Sequence, residues 1–352
     1  MKAKEKQIIE CVPNFSEGRD MNIIRQISDA IASVEGVSVL NVDPGEATNR
    51  TVVTFVGAPE AVVEAAFRGV RKAGETIDMR KQHGTHPRLG ATDVLPLIPV
   101  SGITLEECSI LARNLARRIA EELDIPCYCY EAAAFKPKRK NLAVCRAGEY
   151  EALEEKLTIP EKQPDFMPAV ADTSRILHLK PQILKTGCTV VGARDFLIAV
   201  NFNLNTTSVQ QANAIACDVR EKGHPVSDSH PVATPGMLKA VKAIGWYIEE
   251  YGIAQVSVNM TNLRVTPLHV AFEEVCRSAE SRGVRVTGTE IIGLVPKHAL
   301  VEAGKYFLGK QHRSADVPEK QLVAEAVASM RLDDLRPFHP REKVIEYLME
   351  MS

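Results

Sequence analysis

The first half of the chain alternates between two spacings of apolar residues. Residues 8–13, IIECVP, form a short apolar run that ends at Pro-Asn, which predicts a strand. Ile23, Ile24, Ile27 and Ile31 recur at helical spacing and predict a helix over 22–34. Strands are expected at 37–43 and 51–57, either side of the turn PGEATNR. A helix is expected over 59–77, opened by Pro59-Glu60. The run DVLPLIPV at 93–100 is apolar but broken by prolines, so it reads as an extended edge segment. An amphipathic helix over 105–123 and a strand over 126–130 close this half.

The second half repeats the order without evident identity to the first. Strand-like residues 195–204 precede a helix over 209–222, then adjacent strands at 238–249 and 253–260. A helix follows over 268–281, with Pro267 at its start and Thr266 as its expected N-cap. Residues 284–288 supply the last strand, and from about Ala299 the tail reads as helices, the last over 342–351. Both halves thus follow roughly β-α-β-β-α-β, with further elements added in the first. The expected fold class is α/β (α+β): two ferredoxin-like subdomains, each an antiparallel sheet with helices on one face. The expected boundaries are 1–186 and 187–352. The first includes a connecting loop at 158–186, rich in proline, that reads as a linker or a functional lid.

Composition narrows the function. The net charge is −2, so the basic surplus of a nucleic-acid binder is missing, and no such partner is expected. With 45% hydrophobic and 25% charged residues the composition is that of a globular protein. No apolar run reaches the roughly 18 residues of a membrane helix, and the lysine-containing start lacks a signal-like apolar stretch. A cytoplasmic protein without membrane contact is expected. The eight cysteines are scattered, without a CxxC, and read as reduced, mostly buried thiols.

Candidate chemistry concentrates in MRKQHGTHPRLGATD, residues 79–93. His83 and His86 stand three apart, which on a helix would suit a metal, but Gly84 and Pro87 oppose a helix there. No further ligand lies nearby in sequence, so no metal is expected. Acid–base chemistry fits better: a histidine can take a proton from an attacking amine and return it to a leaving one. Arg88 offers a fork of donors suited to a carboxylate, and Asp43 a carboxylate that could orient an imidazole. The plain alternatives are a loop histidine with a surface arginine, and an Asx-type turn around Asp43. Arg50 and Asn14 are further candidate substrate contacts. Ser16 and Glu17 read equally well as caps of the first helix.

Together these clusters resemble one family. CVPNFSEG (11–18), Asp43 through TNRTVVTFVG (48–57) and HGTHPRLGATDV (83–94) are similar to the formiminotransferase domain of the formimidoyltransferase-cyclodeaminases. RAGEYEAL (146–153), PDF (164–166), VGARDFLIAVN (191–201), IGWY (244–247), AQVSVN (254–259), IGLVP (292–296) and IEYL (345–348) follow in the same order. The resemblance implies two α/β subdomains with a folate-binding cleft or tunnel between them. It implies transfer of a formimidoyl group from N-formimidoyl-L-glutamate to N5 of tetrahydrofolate in histidine degradation. Tetrahydrofolate would be the co-substrate and His86 the catalytic base. A homodimer and a separate cyclodeaminase that processes the product are further expectations. The chain departs from the family's pattern at two places. Thr85 stands where the family commonly has Glu. Met167 and Pro168 begin a longer segment, reaching Gly187, where the family has a short Gly-Pro-rich folate loop, so these three residues are the expected folate contacts. The close alternatives are use of 5-formyltetrahydrofolate at the same site, and folate binding without catalysis.

Overall fold

A computed structural model describes residues 7–46, 48–84, 87–226 and 233–351. His86, with Thr85, lies outside the described residues. The chain divides into two compact units, Met1–Arg194 and Asp195–Ser352.

The first unit contains a seven-stranded sheet. Strand β1 (Ile8–Cys11) and β2 (Asn14–Phe15) share one line of the sheet. Helix α1 (Met21–Ala32), β3 (Val37–Gly45), β4 (Arg50–Gly57), α2 (Pro59–Thr76) and β5 (Thr92–Ser101) follow. The order β5, β1/β2, β4, β3 is antiparallel throughout and is that of a split βαβ sheet. Helix α3 (Leu105–Leu123) leads to β6 (Cys127–Glu131) at the far edge. Between β5 and β6 lies β7 (Thr189–Ala193), parallel to both.

The expected edge position of 93–100 is corrected, for β5 is interior. It pairs with β1 and β2 on one side and β7 on the other. The prolines fit because the ladders are offset: β7 pairs with 94–97 and β1 with 97–101, with a register shift where Pro99 faces Ile9. Pro96 still accepts through its carbonyl from the Val12 amide. Burial of Leu95 and Leu97 on one face and Val94 on the other outweighs the missing donors.

Helices α1, α2 and α3 cover one face of this sheet. Ile27 and Ile31 of α1, Val62, Phe67 and Val70 of α2, and Leu115 and Ile119 of α3 pack on Phe15, Val53, Phe55 and Leu97. The helix starts are locally encoded. Asp20, rather than Ser16 or Glu17, caps α1 by accepting from the Asn22 and Ile23 amides. Thr104 and Glu107 form a capping box on α3.

The second face is not bare, as a one-layer sheet requires. Short helices α4 (Leu142–Arg146), α5 (Leu153–Thr158), α6 (Ile176–Leu179) and α7 (Gln182–Thr186) cover β5, β7 and β6. Ile176 and Ile183 are fully buried against Tyr128, Val190 and their neighbours. Residues 158–187 are therefore part of this unit's second core.

The second unit has a four-stranded antiparallel sheet in the order β11-β8-β10-β9. Its strands are β8 (Ile198–Leu204), β9 (Val241–Ile248), β10 (Ile253–Met260) and β11 (Val286–Ile292). With α8 (Val209–Val219) and α9 (Leu268–Ser281) this is the ferredoxin-like arrangement the sequence predicts. Thr266 does not cap α9: its hydroxyl donates to the Lys239 carbonyl, and Pro267 takes the cap position without a side-chain bond. Helices α10 (Lys297–Lys310) and α11 (Glu319–Met330) extend the core through Leu300, Phe307, Val323 and Met330.

Candidate active site

The helix-free face of β2, β3 and β4 collects polar residues. Asn14 and Asp43 both lie opposite Val52, and Arg50 lies two residues along the same face. Asn14 donates to the Val12 carbonyl at 3.1 Å. Asp43 is exposed. Arg50 is half-buried. Burial and the nearby Arg146 guanidinium lower its proton affinity, while Asp93 and Asp43 work in the opposite sense. The structure thus brings three of the sequence-derived candidates, Asn14, Asp43 and Arg50, onto one surface.

At the end of these strands lie the described stretches 79–84 and 87–91, on either side of position 86. Both of its flanks are fixed. On the near side, the Asn49 Nδ2 donates to the His83 carbonyl at 2.9 Å, and the Gln82 Nε2 donates to the Asn49 carbonyl at 2.8 Å. The Gly18 amide donates to the Asn49 Oδ1 at 3.0 Å, so a third loop joins the same residue. On the far side, the Leu89 amide donates to the Asp93 Oδ1 at 2.9 Å and the Ser16 hydroxyl donates to the Gly90 carbonyl at 2.8 Å. Asp93 is buried and forms an ion pair with Arg146. Removing that carboxylate would leave the partly buried Arg146 guanidinium without this counter-charge.

Arg88 is built into this frame. Its Nε donates to the Gln82 Oε1 at 3.0 Å, and its terminal nitrogens reach Glu149, Glu151 and the Gln82 carbonyl at 2.7–3.3 Å. The Glu151 hydrogen bond is the main reason Arg88 is more basic than an ordinary arginine, and Arg88 in turn holds Glu151 below the usual carboxylate range.

The expected folate contacts fall on the second core. Met167 is partly buried against that cluster and Pro168 is buried. Gly187 bridges to Gly90, and a Cβ there would lie 2.3 Å from the Leu89 carbonyl oxygen. The segment after Phe166 therefore ends as a brace under the 79–91 loop, where the Met79 and Ala91 amides donate to the Lys185 and Thr186 carbonyls.

All the candidates named from the sequence lie in the first unit, yet the helix-free sheet face of the second carries a relay of polar side chains. The Trp246 Nε1 donates to Gln255 at 3.1 Å, Gln255 to Asn203 at 2.7 Å, and Asn203 to Asp334 at 2.9 Å. Gln255 and Asn203 are fully buried. The available signal was polar alternation within apolar strands, as in Asn201 and Asn203 or Gln255, Ser257 and Asn259. Among the described residues no group of three or more potential ligands could hold a metal ion.

The family model for the formiminotransferase domain, N-terminal subdomain, matches residues 8–194, and that for the formiminotransferase domain matches residues 199–350. The chain belongs to the formiminotransferase family. Formimidoyltransferase-cyclodeaminase of Rattus norvegicus is 46% identical over 346 residues, covering 98% of this chain and 60% of that protein. The Gallus gallus protein of the same name is 45% identical over 344 residues, with the same coverage. Glutamate formimidoyltransferase of Thermoplasma acidophilum is 41% identical over 303 residues, covering 86% of this chain and 92% of that one. The chain thus spans about 60% of the length of the bifunctional relatives. No helix among the described residues is long and apolar enough to cross a membrane.

Proposed function

We propose that this formiminotransferase-family chain transfers the formimidoyl group of N-formimidoyl-L-glutamate to N5 of tetrahydrofolate. The observation that carries this reading is the 41% identity to a glutamate formimidoyltransferase along 92% of that protein's length. N5 attacks the amidine carbon, and His86 takes the proton that N5 loses. The tetrahedral intermediate then collapses: its bond to the glutamate nitrogen breaks while the imidazolium returns the proton to that nitrogen. Glutamate and 5-formimidoyltetrahydrofolate leave. The chemistry is balanced by one proton moving between two nitrogens, so one imidazole suffices.

Arg50 is our candidate for a glutamate carboxylate. Its half-buried guanidinium shares the sheet face of Asn14 and Asp43 and offers a fork of donors suited to a carboxylate. Asp43, on the same face, is the candidate partner for the imidazole's other nitrogen. We assign Arg88 to the frame rather than to substrate, because its nitrogens already face protein acceptors. Tetrahydrofolate is a co-substrate in this scheme, the setting is cytosolic, and the product would pass to a cyclodeaminase activity, which the bifunctional relatives' names place on their own chains.

The test offers the purified chain tetrahydrofolate with formimidoyl-glutamate, and separately glutamate with 5-formyltetrahydrofolate, and follows the folate products. Formation of 5-formimidoyltetrahydrofolate in the first mixture is expected. Turnover in the second mixture alone would replace the donor, and folate binding without turnover in either would remove the activity.

A further inference from the structure

We propose that the first unit holds a binding site for a phosphoryl group, in a small cavity where Lys156 and Lys138 supply the charge. The site is separate from the residues assigned to formimidoyl transfer and does not rest on that reaction.

The cavity has a volume of about 190 Å³ and is lined by Tyr128 of β6 and by residues between 138 and 162. A pocket for a drug-sized molecule has roughly 300–1,000 Å³, so this one suits a small group. Lys156, on α5, lines it and is only 5% exposed. The Lys156 Nζ donates to the Cys145 carbonyl at 2.8 Å and lies 5.3 Å from the centre of the Tyr128 ring. An ammonium has three donors, and the Cys145 carbonyl takes one of them. Among the described residues no carboxylate forms an ion pair with Lys156. Burial is the main reason its proton affinity falls below that of an ordinary lysine. Arg139 and Lys162 add to the effect, while the Cys188 and Cys145 thiols oppose it.

The other charges in the lining are largely committed. Arg139 is buried and lies over the same Tyr128 ring, but Asp165 pairs with it at 2.6 Å. Lys162 pairs with Glu155. Setting those two pairs aside leaves Lys138 and Lys156 against one carboxylate, Glu161. Both uncommitted cations are lysines, which bind phosphate as point charges, whereas the planar fork that suits a carboxylate is already taken up by Asp165. A phosphoryl group offers several strong acceptor oxygens to the remaining Lys156 donors. Because the Cys145 carbonyl joins Lys156 to α4, an occupant also ties α5 to α4 and stabilises the folded chain.

The experiment titrates the full chain with inorganic phosphate by isothermal calorimetry at fixed ionic strength, with acetate and chloride as comparison anions. Saturable phosphate binding with a Kd of about 1 mM or tighter is expected. The melting temperature should be higher in phosphate than in chloride. Lys156→Met keeps the apolar stem and removes the charge, and should weaken phosphate binding by about tenfold or more. Lys138→Glu changes an exposed residue and leaves the core alone, so it carries the test even where Lys156→Met fails to fold. It should also weaken phosphate binding by about tenfold. No saturable phosphate binding, equally tight binding of acetate, or phosphate binding that the folded variants retain in full would overturn the proposal.

Discussion

Gly187 ends α7 with φ +66 and ψ −150, a region that side-chain-bearing residues all but avoid. A Cβ there would also meet the Leu89 carbonyl oxygen at 2.3 Å, so Gly187→Ala combines backbone strain with a clash against the loop next to position 86. We expect a stability loss of roughly 1–3 kcal/mol from strain alone, seen as a lower melting temperature. Turnover at a temperature below that transition should fall as well, since the displaced neighbour is Leu89. A variant with wild-type melting and activity would show that this contact is not maintained. Asn14, Asp43, Arg50 and Arg88 were legible from the sequence as polar residues in polar clusters. The frame was not, because most of its hydrogen bonds join residues 31 to 63 positions apart and leave no local pattern. Gln82 and Asn49 look like ordinary loop residues until β4 and the 79–91 loop are brought together. Glu149 and Glu151 appeared only inside a family motif, with nothing to say that they face Arg88.

At the scale of elements, the segment 158–187 is the clearest departure from the sequence reading. Its prolines and charged start obscured the apolar residues that bind it to the sheet. Ile176, Leu179 and Ile183 stand at helical spacing, but Pro181 interrupts the run, and α6 and α7 are only four and five residues long. Tertiary burial, not local periodicity, fixes them. Ile183→Ala should therefore destabilise the first unit by about 2–5 kcal/mol in denaturant unfolding, the range for a large-to-small change in a core. A loss below about 0.5 kcal/mol would match a surface linker instead. The interior placement of β5 was hidden for a related reason: prolines signal edges locally, whereas an offset between two neighbouring ladders depends on partners far along the chain.

Another element-scale contact links α8 to α9. Asp218 accepts from Ser278 at 2.6 Å and from Arg282 at 2.8–2.9 Å, and its Oδ1 lies 2.7 Å from the His224 Nε2. Burial alone would raise this carboxyl's pKa, but the bonds from Ser278, His224 and Arg282 outweigh it and hold it below the ordinary value. The ionised form is thus favoured more in the folded than in the unfolded chain. Its contribution is present above the unfolded value of about 3.9 and is lost as pH falls from there through the lower folded value. Melting temperature measured from pH 6 to pH 2 should show a smaller acid-induced drop in Asp218→Asn, from a lower starting point. Parallel curves for the two proteins would mean that this carboxyl carries no such linkage.

For the whole molecule, the alternation of apolar periods was enough to name the repeated β-α-β-β-α-β order, and in the second unit it predicts the topology. The first unit adds β6 and β7 to that scheme, and the added strands are parallel, so their pairing depends on the α3 crossover and on a strand supplied about sixty residues later. Each unit has a sheet face free of long helices on which polar side chains gather. In the first this is the surface of Asn14, Asp43 and Arg50, and in the second the Trp246–Gln255–Asn203–Asp334 relay. Asn203 and Gln255 of that relay interrupt otherwise apolar strands, and they were visible in the sequence only as small irregularities.

In the proposed reaction a proton is relayed by His86 during formimidoyl transfer. The most direct measurement is the single-turnover rate of 5-formimidoyltetrahydrofolate formation by the wild-type chain and by His86→Ala, alongside equilibrium binding of tetrahydrofolate to each. We predict a rate lower by roughly 10² to 10⁴ in the variant, with folate affinity within about twofold of wild type. An undiminished rate in His86→Ala, or no transfer by the wild-type chain when both substrates are bound, would contradict it.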